Sequence, residues 1–98
     1  MKQEMIEHQY IILRNLCEEF CNGTLSLNSL IQRLEGILDI LDIDNLKDGV
    51  FPILLIMEEV NAVAIIENRK LTETELKMVK ECVKSLLEVA DSIKNMGQ

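Results

Sequence analysis

A chain of 98 residues has room for one domain and one core, and folding at this size buries about 60–70% of the surface an unfolded chain exposes. Hydrophobic residues make up 48% of it but aromatic ones only 3%, with no tryptophan. A core of Leu, Ile, Val and Met suits helix packed on helix better than a β-sandwich, whose strands favour aromatic and β-branched residues. The formal net charge of −7 is concentrated between Leu34 and Glu67, where eight acids face a single base, Lys47, while the rest of the chain balances. That distribution argues against nucleic acid or an anionic membrane as partner and for something basic.

From Gln3 to Cys21 apolar residues recur at Ile6, Tyr10, Leu13, Cys17 and Phe20, which predicts an amphipathic helix stopped by Asn22-Gly23. A second helix is predicted after Ser26, a capping residue, with Leu25 and Leu30 spaced as a hydrophobic staple. Its inner face reads Leu27, Leu30, Ile31, Leu34, Ile37, Leu38 and Leu41. Gly36 within it costs about 1 kcal/mol relative to alanine, and the sequence leaves open whether a close backbone approach or simple tolerance explains it.

The aspartate-bearing stretch Asp42 to Val50 reads as a connection holding at most a short helical turn, with Pro52 as first residue of a third helix that runs to Glu67. Because that segment is apolar on nearly every side, it is expected to be the most buried element. The fourth helix is announced by the capping box Thr72 and Glu75, with Leu71 and Leu76 spaced as a second staple. Leu76, Val79, Val83, Leu86, Ala90 and Ile93 form its inner stripe. Four helices with short links, without repeats, predict one all-α domain over residues 1–98: an antiparallel four-helix bundle, up-down-up-down, with both termini at one end.

Catalytic constellations are missing from this sequence. The only histidine is His8, near the chain start, and no Gly-rich phosphate loop, CxxC pair or HExxH motif occurs. An EF-hand counted from Asp42 would need glycine at its sixth position and glutamate at its twelfth, where Lys47 and Ile53 stand. Cys17, Cys21 and Cys82 are read as small core residues. No enzyme activity, metal or cofactor is therefore expected. The start MKQEMIEHQ lacks a secretory pattern, and the uncharged run from Gly49 to Met57 is too short for a bilayer, so a cytoplasmic protein without a transmembrane segment is expected.

The acids remain. Glu35, Asp39 and Asp42 follow one another by four and three residues, forming a stripe opposite the second helix's inner face; Asp44 and Asp48 continue it, and Glu58 and Glu59 interrupt the third helix. Outer acids on a small bundle commonly do no more than keep it soluble. Here they are confined to neighbouring segments, and such a patch speeds association with a basic partner. Ile43, Leu46 and Phe51 are candidate apolar anchors beside them.

The segments FCNGTLSLNSLI, RLEGILDILD, LIMEEVNAVAI and LTETEL together resemble the small helical bacterial immunity proteins of the colicin D immunity type and of contact-dependent growth inhibition systems. The likeness is one of layout across most of the chain and carries no catalytic signature. It implies an antitoxin that occludes the basic active site of a cognate nuclease toxin, an RNase by preference, with acids imitating substrate phosphates. On this chain's own charge map the contacting residues are Glu35, Asp39, Asp42, Asp44, Asp48, Glu58 and Glu59. The competing expectation is a non-catalytic interaction or regulatory module, able to pair as a homodimer through spare apolar surface on the third helix.

Overall fold

The computed structural model describes residues 2–96, so Met1, Gly97 and Gln98 of the predicted 1–98 domain lie outside the described residues. Helix α1 (Lys2–Cys21) buries Tyr10, Leu13, Leu16, Cys17 and Phe20. It stops where the spacing predicts: Gly23 takes φ +82°, and the amides of Asn22, Gly23 and Thr24 donate back to the carbonyls of Glu18, Phe20 and Glu19. Helix α2 (Leu27–Leu41) opens on Ser26, whose hydroxyl accepts the Ser29 N–H at 3.1 Å, and it buries all seven residues of its predicted inner face. Asp42 closes it in the left-handed region at φ 49°, donating its N–H to the Leu38 carbonyl.

Helix α3 (Asp44–Ile66) departs from expectation in where it begins and in how deeply it is buried. It begins eight residues before Pro52, so Asp42 to Val50 is no linker: only Asp42 and Ile43 connect α2 to α3. Three causes draw the early turns into the helix. Asp44 places a negative charge beside the helix's positive end; Leu46 and Val50 continue the register of Leu54 and Met57 and are buried with them; and Pro52 lies on the exposed side, where the carbonyl it leaves unpaired is wetted. An internal proline costs about 3 kcal/mol, whereas burying Leu46 and Val50 returns about 1.5–3 kcal/mol each.

Nor is α3 the most buried element. It buries Leu46, Val50, Leu54, Met57 and Ala64, while Phe51, Leu55, Ile56, Val63, Ile65 and Ile66 are exposed. A helix at the rim of a bundle always keeps one side outward, and here that side is apolar too. Asn68, at φ 53°, ends the turn after α3 as Gly23 ends α1, and the Arg69 N–H donates to the Ala64 carbonyl.

Helix α4 (Glu73–Met96) starts on the predicted capping box. The Thr72 N–H donates to Glu75 at 2.9 Å and the Glu75 N–H to the Thr72 hydroxyl at 3.1 Å. Arg69 adds two bonds to the Glu75 carboxylate, at 2.7 and 3.1 Å, and another to Glu67 at 2.7 Å. These partners, Arg69 foremost and then the Thr72 amide, hold the Glu75 carboxyl down at about 2 from its usual 4.5. A carboxyl lowered on folding stabilises above its unfolded value, and that contribution is lost as pH falls from 4.5 toward about 2. The Tm of Glu75→Gln should thus decline less steeply than that of the parent chain across this window, as followed by circular dichroism.

Helix α1 packs on α2 and α4, α2 on α3, and α3 on α4. Arg14 of α1 meets Asp91 of α4 at 2.6 Å, the Asn61 amide of α3 donates to Asn28 of α2 at 3.0 Å, and Gly49 of α3 lies against Val89 of α4. The buried side chains other than Ala64 form one continuous apolar cluster, with no polar or charged residue buried among those described. Two of the three cysteines join it: Cys17, whose thiol burial pushes up to about 12, and Cys82. Cys21, expected inside, is exposed at the last residue of α1. Among the described residues the all-α class and the four helices are as predicted.

Candidate functional site

All seven predicted acids are exposed; six of them fall into two groups, and Glu59 stands apart. At the α2–α3 corner the Lys47 ammonium bonds the Asp42 carboxylate at 2.6 Å. That bond raises Lys47 and lowers Asp42, and the charges of Asp39 and Asp44 act on Lys47 in the same upward direction. Three carboxylates around one ammonium leave two charges uncompensated, so this corner stays acidic although Asp42 is already paired. Such exposed pairs contribute little to stability.

The second group comes from residues far apart in sequence. Glu35 of α2 and Asp48 and Glu58 of α3 line a shallow groove of about 530 Å³ together with Phe51, Pro52, Leu54 and Leu55. Leu54 is buried at its floor, while Phe51 (52% exposed) and Leu55 (57%) stand open to solvent. Among the described residues none of these three carboxylates takes part in an ion pair, in contrast to Asp42, Glu67, Glu75 and Asp91. Glu59 lines no part of the groove and sits one turn beyond Leu55.

The groove opens onto the outward side of α3, where Ile56, Val63 and Ile66 extend the apolar surface toward the other end of the helix. Exposed patches of this kind in soluble proteins commonly mark binding surfaces. Of the anchors expected from sequence, Phe51 is placed to make contact and Ile43 is half-buried, but Leu46 is fully buried in the core and unavailable. Pro52, Leu55 and Ile56 were hidden from sequence reasoning, because a segment apolar on all sides carries no periodicity to say which side faces out. By length and composition α3 is long and apolar enough to cross a bilayer, as a core helix can also be, and in this fold it supplies part of the core.

A larger groove, of about 680 Å³, lies at the opposite end between the α1–α2 and α3–α4 turns, and none of the seven acids lines it. Comparison of the chain with known protein families, with curated proteins and with solved structures finds no match.

Proposed function

We propose that this chain is an immunity protein: a cytoplasmic, non-catalytic antitoxin that binds the basic domain of a cognate nuclease toxin, by preference an RNase, and occludes its active site. The observation that carries this reading is the convergence on an apolar groove of exposed carboxylates from α2 and α3 that have no ion-pair partner among the described residues. Carboxylates steer a basic partner, and apolar side chains supply the desolvated contact that holds it. The corner acids Asp39, Asp42 and Asp44 extend the attractive field beyond the groove. The proposed scaffold is an up-down-up-down antiparallel bundle, supported by the pairings of Arg14 with Asp91, Asn28 with Asn61, and Gly49 with Val89.

The test is co-purification of the tagged chain with the products of its neighbouring genes, followed by nuclease assay of whatever is retained. A basic domain silenced while bound is the expected result, and retention of nuclease activity in the complex would refute occlusion. Replacing Asp39, Asp42 and Asp44 together by lysine should then slow association by about tenfold or more and flatten its dependence on salt. Unchanged kinetics would remove the corner from the interface.

The exposed apolar side of α3 also favours a second reading, a homodimeric interaction module. Two copies meeting there would bring Asp48, Glu58 and Glu59 of each against the same charges of the other, so neutral pH and low salt oppose it. A dimer in sedimentation at high salt that outlasts dilution into low salt would favour the module.

A further inference from the structure

Four features decide what the α2–α3 groove can hold. Its floor and walls are apolar, from Phe51, Pro52, Leu54 and Leu55. Its carboxylates stand at separated points: Asp48 and Glu58 lie ten residues apart on α3, about 15 Å along the helix axis, and Glu35 faces them from α2. Those carboxylates have no cationic partner among the described residues. Finally, the open side chains Phe51 and Leu55 are spaced i, i+4 on α3, with the exposed Glu59 next on the same line, giving a helical ridge rather than a closed cup.

Phosphate-bearing ligands, whether nucleic acid or anionic lipid, meet repulsion from all three carboxylates. A second copy of the chain brings the same charges. A small polar cation would leave Phe51 and Leu55 wet. The charge and the apolar floor are satisfied together by long basic side chains, whose aliphatic stems lie on apolar surface while their heads reach carboxylates. An arginine head can also stack on the Phe51 ring. The α2 and α3 surfaces offer helical ridges and no sheet edge for an added strand, which leaves helix-in-groove docking as the mode available.

We propose that the α2–α3 groove seats a basic amphipathic helix of the partner. That helix carries an apolar residue against Phe51 and Leu55, flanked by two arginines or lysines about eleven residues apart, roughly 16 Å, which pair with Asp48 and Glu58. Glu35 receives a third base or shares one of these. The assignment rests on the reading of a basic protein partner and specifies the element of it that enters this face.

The full chain, isotopically labelled, is titrated with a synthetic helical peptide of alanine, leucine and arginine, with arginines at i and i+11 and leucines between. A twin peptide carries glutamate in place of both arginines. Saturable shifts of the amides of Glu35, Asp48, Phe51, Leu55 and Glu58 are expected with the first peptide and none with the second. Affinity should fall at least tenfold in Glu35→Gln/Glu58→Gln and in Phe51→Ala/Leu55→Ala, both at exposed positions, and change less than twofold in Glu88→Gln on α4.

Shifts centred on other acids overturn the proposal, as does equal binding of the glutamate twin, which would mark mere apolar adhesion. Equal weakening by Glu88→Gln, which would mark diffuse charge attraction, overturns it too, and so does absence of binding at millimolar peptide. The two readings fail separately. A toxin that binds while the peptide does not removes the groove assignment and leaves the immunity reading; a peptide seated in the groove of a chain that retains no nuclease does the reverse.

Discussion

Leu46→Ala is expected to lower the Tm by about 10–25 °C, a shift that corresponds to about 2–5 kcal/mol for a chain of this size. Leu46 is fully buried, two residues into α3, inside the cluster that also holds Leu38, Val50 and Leu86. Truncation there loses the transfer energy of the removed carbons and opens a cavity that neighbouring helices close only in part. Small domains have only about 5–15 kcal/mol of stability in all, so the loss is a large fraction of the total. Phe51→Ala, five residues on but half exposed, should leave the melt nearly unchanged. Thermal unfolding of the two variants side by side is the measurement. Equal melts would place Leu46 outside the core and restore it as a contact residue.

The second large effect is a contrast between two glycines. A Cβ built at Gly49 falls 2.7 Å from Val89 Cγ1, whereas one built at Gly36 meets nothing within 4 Å. Valine in a helix has essentially one side-chain rotamer, so Val89 cannot swing aside and α3 must move off α4. Overpacking of this kind costs about 1–3 kcal/mol, more than the gain of about 1 kcal/mol that alanine brings to a helix interior. Gly36→Ala keeps that gain and should stabilise; Gly49→Ala should destabilise. Chemical denaturation reads both signs. Adding Val89→Ala to Gly49→Ala should recover part of the loss, and strict additivity of the two changes would show that the contact is not the cause. The glycine in α2 is thus tolerated, while the one in α3 permits a close approach.

How far the sequence reveals the fold depends on whether its signals are local. Ser26, Gly23 and the Thr72–Glu75 box act within a few residues of themselves, so α1, α2 and α4 are legible with their boundaries. The start of α3 is not, because what draws Asp44 to Phe51 into a helix is the burial of Leu46 and Val50 against other elements. The acids themselves are visible by composition. Their sorting is not: only the packing of α2 on α3 brings Glu35 beside Asp48 and Glu58, and only the fold shows Asp42 already occupied by Lys47. Spare apolar surface on α3 is visible in the sequence, but which side of the helix carries it is not, since a helix with apolar residues all round gives the same pattern whichever side is wet.

Tyr10 is the chain's only tyrosine, and tryptophan is absent. Its ring is buried where α1 meets α4, with Lys94 Nζ 5.8 Å from its centre. Near-ultraviolet emission from this protein therefore comes almost wholly from one chromophore at one seam. Opening of α1 from α4 would be visible in its fluorescence without any label, whereas events confined to the α2–α3 face would be optically silent and need a reporter placed there.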